Sequence, residues 1–368
     1  PIFVRSLVSY TWTWSEFGWL EILCVHFSAL AFLLSHCLMT AVQGDCIDFT
    51  GFGTVTTGRN VVPVPMRVTK HRTPLERELE AVEGISLHQF NQPVAEVLGR
   101  VSIVTPTTAS RARFHPQLWQ CFLDQTWADK ELVVVETYHH EPSSFFQSIA
   151  RVDSRLRYVA IKRPVGEDLT VGAKRNLTIL LASGQYCVNF DDDDLYADRY
   201  VECMVTAMQR RNLVALTLSG WHNYFEARGS AGYSEPKSWD PEDQDEMDEI
   251  LYGYGFSYVH LRVMALFYPY PNLAFAEDAP FMLKLRQKMG RVGLMEDVEG
   301  LCLHIVHSSS STPDPEISHR LTEEELDDLA VSDCRAFEGF MQNMQNYSTS
   351  FTWFTGIFTS LFEFWSCC

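Results

Sequence analysis

Tyr186-Cys-Val-Asn-Phe190, followed at once by Asp191-Asp-Asp-Asp194, decides how the chain is read. A short apolar run with Gly184 before it and a charge cluster after it has the pattern of a buried strand ending at a polar rim. Four carboxylates gathered at a strand end repel one another. At about 5 Å and an effective dielectric of ~20, each neighbouring pair costs about 3 kcal/mol. Water, a shifted pKa or a divalent cation must relieve that cost. In an extended chain alternate side chains share a face, so Asp191 and Asp193 are expected to point together. Hard carboxylate oxygens in that arrangement suit Mg2+ or Mn2+, completed by substrate phosphates. The competing reading is a solvated acidic turn, which does not ordinarily cap an apolar strand within a strand–helix series.

That series extends in both directions. Upstream, Val101-Ser-Ile-Val-Thr105 reads as a strand stopped by Pro106. Phe114, Leu118, Cys121 and Phe122 recur at helical spacing, with Pro116 near the helix start. Leu132–Val135 and Tyr158–Ile161 read as further strands. Thr170 is placed to cap a helix carrying Leu177, Leu180 and Leu181 and ending at Gly184. Downstream, Val201, Val205 and Met208 predict a helix, and Val214–Leu218 another strand. Alternating elements with strands apolar on both faces imply an α/β fold of Rossmann-like type, a mostly parallel sheet with helices on both faces. Ligands of such sheets sit beyond the carboxyl ends of the strands, where the strand order reverses. Thr107, Glu136 and the aspartates are expected there.

Composition limits the alternatives. The 368 residues are 46% hydrophobic, enough for a large core. The net charge of −18, from 29 basic and 47 acidic residues, argues against a nucleic-acid partner, which needs clustered Lys and Arg. It leaves room for an anionic small substrate, because a bound metal inverts the local field. The ten cysteines show no C-x-x-C spacing, so neither a zinc site nor a disulfide framework is read from them.

The flanks are read more coarsely. Residues 1–100 form an expected N-terminal extension. Within it, 22–42 is uncharged and mostly apolar, and as a helix it would reach roughly 30 Å, about one bilayer core. A membrane anchor, the apolar part of a targeting signal and a buried helix carrying His26 and His36 all satisfy that pattern. Membrane association, at an endomembrane such as the Golgi, and a cytoplasmic location are accordingly both open. Glu226–Glu249 reads as an exposed loop or lid. Glu277-Asp278 opens a helix, where carboxylates favour the dipole in any case. Leu301–Val306 is an expected last strand, with His304 and His307 three apart. Residues 313–368 form an expected C-terminal helical tail. In it Thr322 and Glu325 make a capping box, and Phe351, Phe354, Phe358 and Phe362 share one helical stripe.

From Val101 to about Ser311 these pieces resemble, in order, an inverting glycosyltransferase of family 2 with the nucleotide-diphospho-sugar-binding GT-A fold. Val101-Ser-Ile-Val-Thr-Pro-Thr107 resembles its opening strand and uridine-side loop. Gln125-Thr-Trp with Glu131-Leu-Val-Val-Val-Glu136 resembles the strand whose terminal acid contacts the base, with Glu in place of the usual Asp. Gly172-Ala-Lys-Arg-Asn176 and Ala182-Ser-Gly-Gln-Tyr186 resemble the approach to the metal strand. Asp191-Asp-Asp193 resembles the D-x-D motif, Glu277-Asp278 the pair supplying the catalytic base, and His307 a late histidine near the metal and diphosphate.

The resemblance implies a catalytic domain over 101–312 and a metal-dependent, hexosyltransferase-like enzyme. It would move sugar from a UDP- or GDP-linked donor to a carbohydrate, glycan or lipid acceptor. It implies Asp191, Asp193 and His307 as ligands of Mn2+ or Mg2+. Pro106, Thr107, Glu136, Arg175, Asp191 and Asp192 are implied as donor contacts. Asp278 is implied as the general base, with Glu277 as its alternate. Trp221 and Tyr254 are candidates to stack on a sugar face, although buried aromatics are commoner. Two other readings keep the fold: a non-catalytic nucleotide-binding module, and a sugar-phosphate nucleotidyltransferase. The second needs a basic phosphate-gripping loop, for which Arg111 and Arg113 are the candidates, without glycines beside them. A structural calcium site lacks the spaced acidic loop of the EF-hand type.

Overall fold

The computed structural model describes residues 54–57, 60–63, 72–82, 85–90, 94–310 and 315–344. The apolar stretch 22–42 and the stripe Phe351–Phe362 lie outside these residues. No helix among the described residues is long and apolar enough to cross a membrane. The chain divides into two units, Pro1–His71 and Arg72–Cys368. The described part of the first is an antiparallel pair, β1 (Thr54–Thr57) and β2 (Asn60–Pro63).

The second unit opens with α1 (Pro74–Glu80). Its capping box is complete: Thr73 Oγ1 accepts from the Glu76 N–H, and Glu76 Oε2 accepts from the Thr73 N–H at 2.7 Å. Leu75 and Leu79, four apart on one face, are buried in one of the two cores of this unit. This part of the expected extension is therefore built into the larger unit.

There follow β3 (Val97–Thr108), α2 (His115–Asp124), β4 (Lys130–Tyr138), α3 (Ser144–Ala150), β5 (Leu156–Lys162), α4 (Val171–Leu181), β6 (Gly184–Asn189), β7 (Leu195–Tyr196), α5 (Tyr200–Arg210) and β8 (Ala215–Phe225). Then come β9 (Ser230–Ser234), α6 (Gln244–Tyr252), β10 (Val259–Leu261), α7 (Arg262–Phe267), α8 (Asp278–Met289), β11 (Val292–Glu296), β12 (Cys302–Val306), β13 (His319–Arg320), α9 (Glu323–Asp327) and a helix α10 over residues 335–344.

Eleven strands form one sheet in the order β13-β9-β8-β10-β6-β3-β4-β5, with β11 and β12 paired to β8 and β7 to β12. The run β6-β3-β4-β5 is parallel, while β10 lies antiparallel between β6 and β8. Alternate residues enter opposite cores, as the pleat requires: Leu132 and Val134 join one cluster, Val133 and Val135 the other. The first core receives Leu118 and Phe122 of α2, Phe146 of α3 and Met204 of α5. The second receives Leu177 of α4, Met264 of α7 and Phe281 of α8. Helices thus cover both faces of an α/β sheet that is parallel at its centre and mixed beyond.

The chain steps from β3 outward to β4 and β5, then returns to β6 on the other side of β3. That reversal opens a crevice at the carboxyl ends of β3 and β6, where Thr107 and the four aspartates lie.

Three expectations are corrected. Pro106 does not stop its strand, because β6 pairs with β3 only as far as Val104, so the missing N–H interrupts no bond on that side. The segment 226–249 is not a plain loop: β9 forms a hairpin with β8, and α6 begins at Gln244, its start capped by the Asp243 carboxylate. The break at 312 is not a boundary of the core, since Leu326, Val331, Phe337 and Phe340 are buried in the first cluster.

Candidate active site

The crevice at the reversal is a cavity of about 550 Å³. Its walls come from the end of β3 (Pro106, Thr107), the aspartates after β6, the start of α4 (Lys174, Arg175), the inner side of α6 (Glu246, Glu249), the Tyr254-Gly255 turn and the loop entering α8.

The acidic cluster is held by cations and directed donors. Arg111 lies in the short 3-10 turn after β3 and packs 5.2 Å over the Phe114 ring. Its Nε donates to Asp192 Oδ1 at 2.7 Å, and its Nη2 lies 2.6 Å from the same oxygen while also pairing with Asp193 Oδ2. Thr107 Oγ1 donates to the other Asp192 oxygen. Burial and the Asp193 charge together push Asp192 up to about 6, against the pull of Arg111. Burial works against charge on Asp193 as well, but His307 and Arg111 outweigh it and hold that carboxyl below the usual range.

His307 Nε2 is 2.8 Å from Asp193 Oδ2, and His307 Nδ1 receives the Ser309 N–H at 3.1 Å. A backbone N–H can only donate, so Nδ1 is the acceptor and the ring proton sits on Nε2, aimed at Asp193. Asp194 is spent on the scaffold: His304 Nδ1 lies 2.9 Å from it, and the Ile305 N–H donates to it at 2.9 Å. Burial opposes charge on His304, yet the Asp194 carboxylate raises its pKa to about 9.

A second group occupies the α8 side. Arg175 is buried, with Nε 2.9 Å from Glu277 Oε1 and 3.3 Å from Asp278 Oδ1, and Nη2 3.5 Å from Asp191 Oδ1. Burial moves Asp278 well above the ordinary carboxylate range, with Arg175 pulling it down and Glu277 pushing it up. Arg175 Nη1 is buried without a hydrogen-bond partner among the described residues. A buried polar atom left unpaired is expensive, and in a cleft it is where a ligand's polar atom would go. The pair is presented by an unusual backbone, with Ala276 left-handed at φ 58° immediately before Glu277.

The structure brings Pro106, Thr107, Arg175, Asp191, Asp192, Asp193, Glu277 and Asp278 to one cavity. Glu136 is not on its wall. Fully buried, it accepts the Ser143 N–H at 3.0 Å and the Tyr158 hydroxyl, tying β4 to the start of α3. His307 is not on the wall either and serves to orient Asp193. Trp221 is fully buried against Tyr254, whereas Tyr254 itself lines the cleft. Lys174 and His304, not singled out as site residues from sequence, do line it, as does Arg111, considered there only for a phosphate loop.

Asp191 and Asp193 fit a divalent ion in chemistry, as hard oxygen donors. As arranged, no three of His, Cys, Asp and Glu among the described residues converge on one cation position. The Arg111 guanidinium lies between Asp192 and Asp193, and His307 directs a proton rather than a lone pair.

Residues 102–266 match the sequence model of the family described as Glycosyl transferase family 2. No curated protein sequence matches. Among solved structures, the chain is similar to S. aureus TarS 1-349 in complex with UDP-GlcNAc, at 13% identity and TM-score 0.43, over 58% of this chain and 62% of that one. It is also similar to the mannosyltransferase PcManGT from Pyrobaculum calidifontis in complex with GDP-Man and Mn2+, at 15% identity and TM-score 0.44, over 61% and 63%. A third is glucosyl-3-phosphoglycerate synthase from Mycobacterium tuberculosis with Mn2+, UDP and phosphoglyceric acid, at 14% identity and TM-score 0.37, over 58% and 72%. The chain spans about 60% of the length of the TarS 1-349 structures.

Proposed function

We propose that this chain is a glycosyltransferase that moves a sugar from a nucleoside-diphosphate donor, UDP- or GDP-linked, to an acceptor hydroxyl with inversion at the anomeric carbon. One observation carries the reading. A single guanidinium, Arg175, holds both Asp191 of the strand-end cluster and Asp278 of α8, in a cavity that opens at the strand-order reversal of a region that matches family 2. The charge-bearing end and the proton-accepting end of one displacement then share one cavity.

In that displacement the acceptor oxygen attacks the anomeric carbon. The bond from that carbon to the diphosphate oxygen breaks, and the diphosphate leaves with its electron pair. Asp278 takes the acceptor's proton, and a carboxylate whose pKa lies above the ordinary range is a better base for it. Lys174, Arg111 and His304 line the cleft and offer positive charge to the diphosphate. Asp191 and Asp193 would hold Mg2+ or Mn2+, which when bound supplies further charge stabilisation to the leaving group. The acceptor is a carbohydrate, glycan or lipid hydroxyl that enters beside Asp278.

The test is Asp278→Asn, which keeps shape and removes the base. Turnover of the native donor should fall by a factor on the order of 10² to 10⁴, with UDP or GDP affinity unchanged within about threefold. Turnover equal to the parent would remove Asp278 from the base role and take the main support from the reading.

A further inference from the structure

A histidine stands behind the cavity wall rather than on it. His115, the first residue of α2, is fully buried, with its ring centroid 4.4 Å from that of Phe146. It lies between Thr107 and Ser143, both buried: Nε2 is 3.2 Å from Thr107 Oγ1, and Nδ1 is 2.9 Å from Ser143 Oγ. Each proton of this chain can be placed. The Phe146 N–H can only donate, and Ser143 Oγ accepts it at 3.3 Å in capping α3. The Ser143 N–H is held in turn by the Glu136 carboxylate at 3.0 Å. At the other end the Thr107 hydroxyl donates to Asp192, which leaves the Thr107 oxygen to accept from His115. His115 Nε2 therefore carries the ring proton. Burial, together with the Arg111 charge, lowers the His115 pKa to about 4, so the ring holds one proton and Nδ1 receives the Ser143 hydroxyl. All the protons point one way, from the start of α3 toward the cleft, and bonds in such a chain strengthen one another.

The direction matters because the Thr107 hydroxyl has a second acceptor in reach, the Thr108 carbonyl at 3.4 Å. The His115 N–H occupies a lone pair of Thr107 Oγ1, and the hydroxyl proton then goes to the nearer acceptor, Asp192. Asp192 is thereby gripped on both oxygens, by Thr107 on one and by Arg111 Nε at 2.7 Å on the other. Thr107, Asp192 and Arg111 all line the cavity; His115 does not. We propose that His115 is a positioning residue for the nucleotide donor. Through Nε2–H it fixes the Thr107 hydroxyl on Asp192, and through Asp192 it fixes the Arg111 guanidinium offered to the diphosphate. Glu136, absent from the wall, contributes at one remove by holding Ser143. The proposal rests on the nucleoside-diphosphate reading for what is positioned, while the hydrogen-bond chain is a property of the protein alone.

Amide side chains of different length tell the ring nitrogens apart. In His115→Gln the amide reaches the place of Nε2 and can donate to Thr107; in His115→Asn it reaches only the place of Nδ1. UDP and GDP are each titrated calorimetrically into the full chain and into both variants, with Mn2+ present. For the nucleotide that the parent binds, His115→Gln should stay within about threefold of the parent, and His115→Asn should lose at least about tenfold, the scale of one hydrogen bond to a charged group. Thr107→Val should lose as much, and His115→Asn added to it should cost less than about twofold more, because the effect passes through that hydroxyl. If His115→Asn does not fold, His115→Leu, which also lacks the donor, takes its place. His115→Asn equal to His115→Gln would overturn the positioning role, as would losses that multiply in the double variant. Long-range proton–nitrogen NMR of the nucleotide-free parent should find the His115 proton on Nε2, and a proton on Nδ1 would overturn the chain itself. A folded parent with the Nε2 proton in place that binds neither nucleotide would overturn the donor role together with the transferase reading behind it.

Discussion

A β-carbon built on Gly255 would lie 2.1–2.3 Å from the carboxyl atoms of Asp278, inside any real contact distance. The turn before β10 therefore sets where the proposed base stands. Gly255→Ala should push Asp278 off position and reduce turnover by at least about tenfold, because misplacement of about 1 Å is felt strongly in catalysis. Nucleotide affinity should hold. Steady-state kinetics beside calorimetry separates the two, and unchanged kinetics would show that Asp278 need not stand there. His260 on β10 gives a pH test away from the cleft. It is fully buried, its Nε2 has no partner among the described residues, and burial lowers its pKa from 6.5 to about 4. The unfolded chain then takes a proton here that the folded chain refuses as pH falls from 6.5 to 4, so stability is lost over that window. His260→Phe removes the titration. Relative to the parent it should gain up to about 3 kcal/mol between pH 6.5 and 4, read from denaturant unfolding at each pH. A difference independent of pH would mean that His260 is already charged in the fold. At this scale the aspartates and the Glu277-Asp278 pair were legible, because carboxylates at a strand end and at a helix start are conspicuous by position. Arg111 was read for a different task, since an Arg in a polar turn looks solvated until its two carboxylate partners, some 80 residues away, are in place.

The elements were legible where periodicity is strong. The strand from Tyr186, the helix capped by Thr170 and the helix over Val201 to Met208 formed with small shifts of their ends. β9 was not legible, because Ser230-Ala-Gly-Tyr-Ser234 is small and polar and pairs only because β8 runs on to Phe225 beside it. Because the stronger aromatic period lies beyond residue 350, at Phe351, Phe354, Phe358 and Phe362, the pair Phe337 and Phe340 was less legible. Those two, on α10, are buried, with Phe340 set edge-on to Tyr224 at 5.2 Å. Phe340→Ala should cost about 3 kcal/mol, within the usual range for a buried phenylalanine, and lower the denaturant midpoint without changing the slope. A chain ended at residue 312 should lose its cooperative transition altogether. Retained cooperativity in that truncation would show that α9 and α10 are ornament to the fold.

At the scale of the whole molecule, the sheet order is what joins the far-separated signals. The acidic strand end at 191–194 and the carboxylate pair at 277–278 lie some 85 positions apart, and β10, antiparallel between β6 and β8, brings the Gly255 turn and α8 back over the crevice. Sequence pattern indicated a strand–helix series and therefore a crevice at its reversal. It did not indicate that Glu136 would turn inward to cap α3, or that α6 would become a wall, because both depend on tertiary contacts with no local period. The central claim is that this crevice holds a nucleoside diphosphate. It is tested most directly by calorimetric titration of the full chain with UDP and GDP in the presence of Mn2+, alongside Asp191→Ala. The account predicts saturable binding of one of them by the parent and a loss of at least about tenfold in the variant. A demonstrably folded protein that binds neither nucleotide would contradict it.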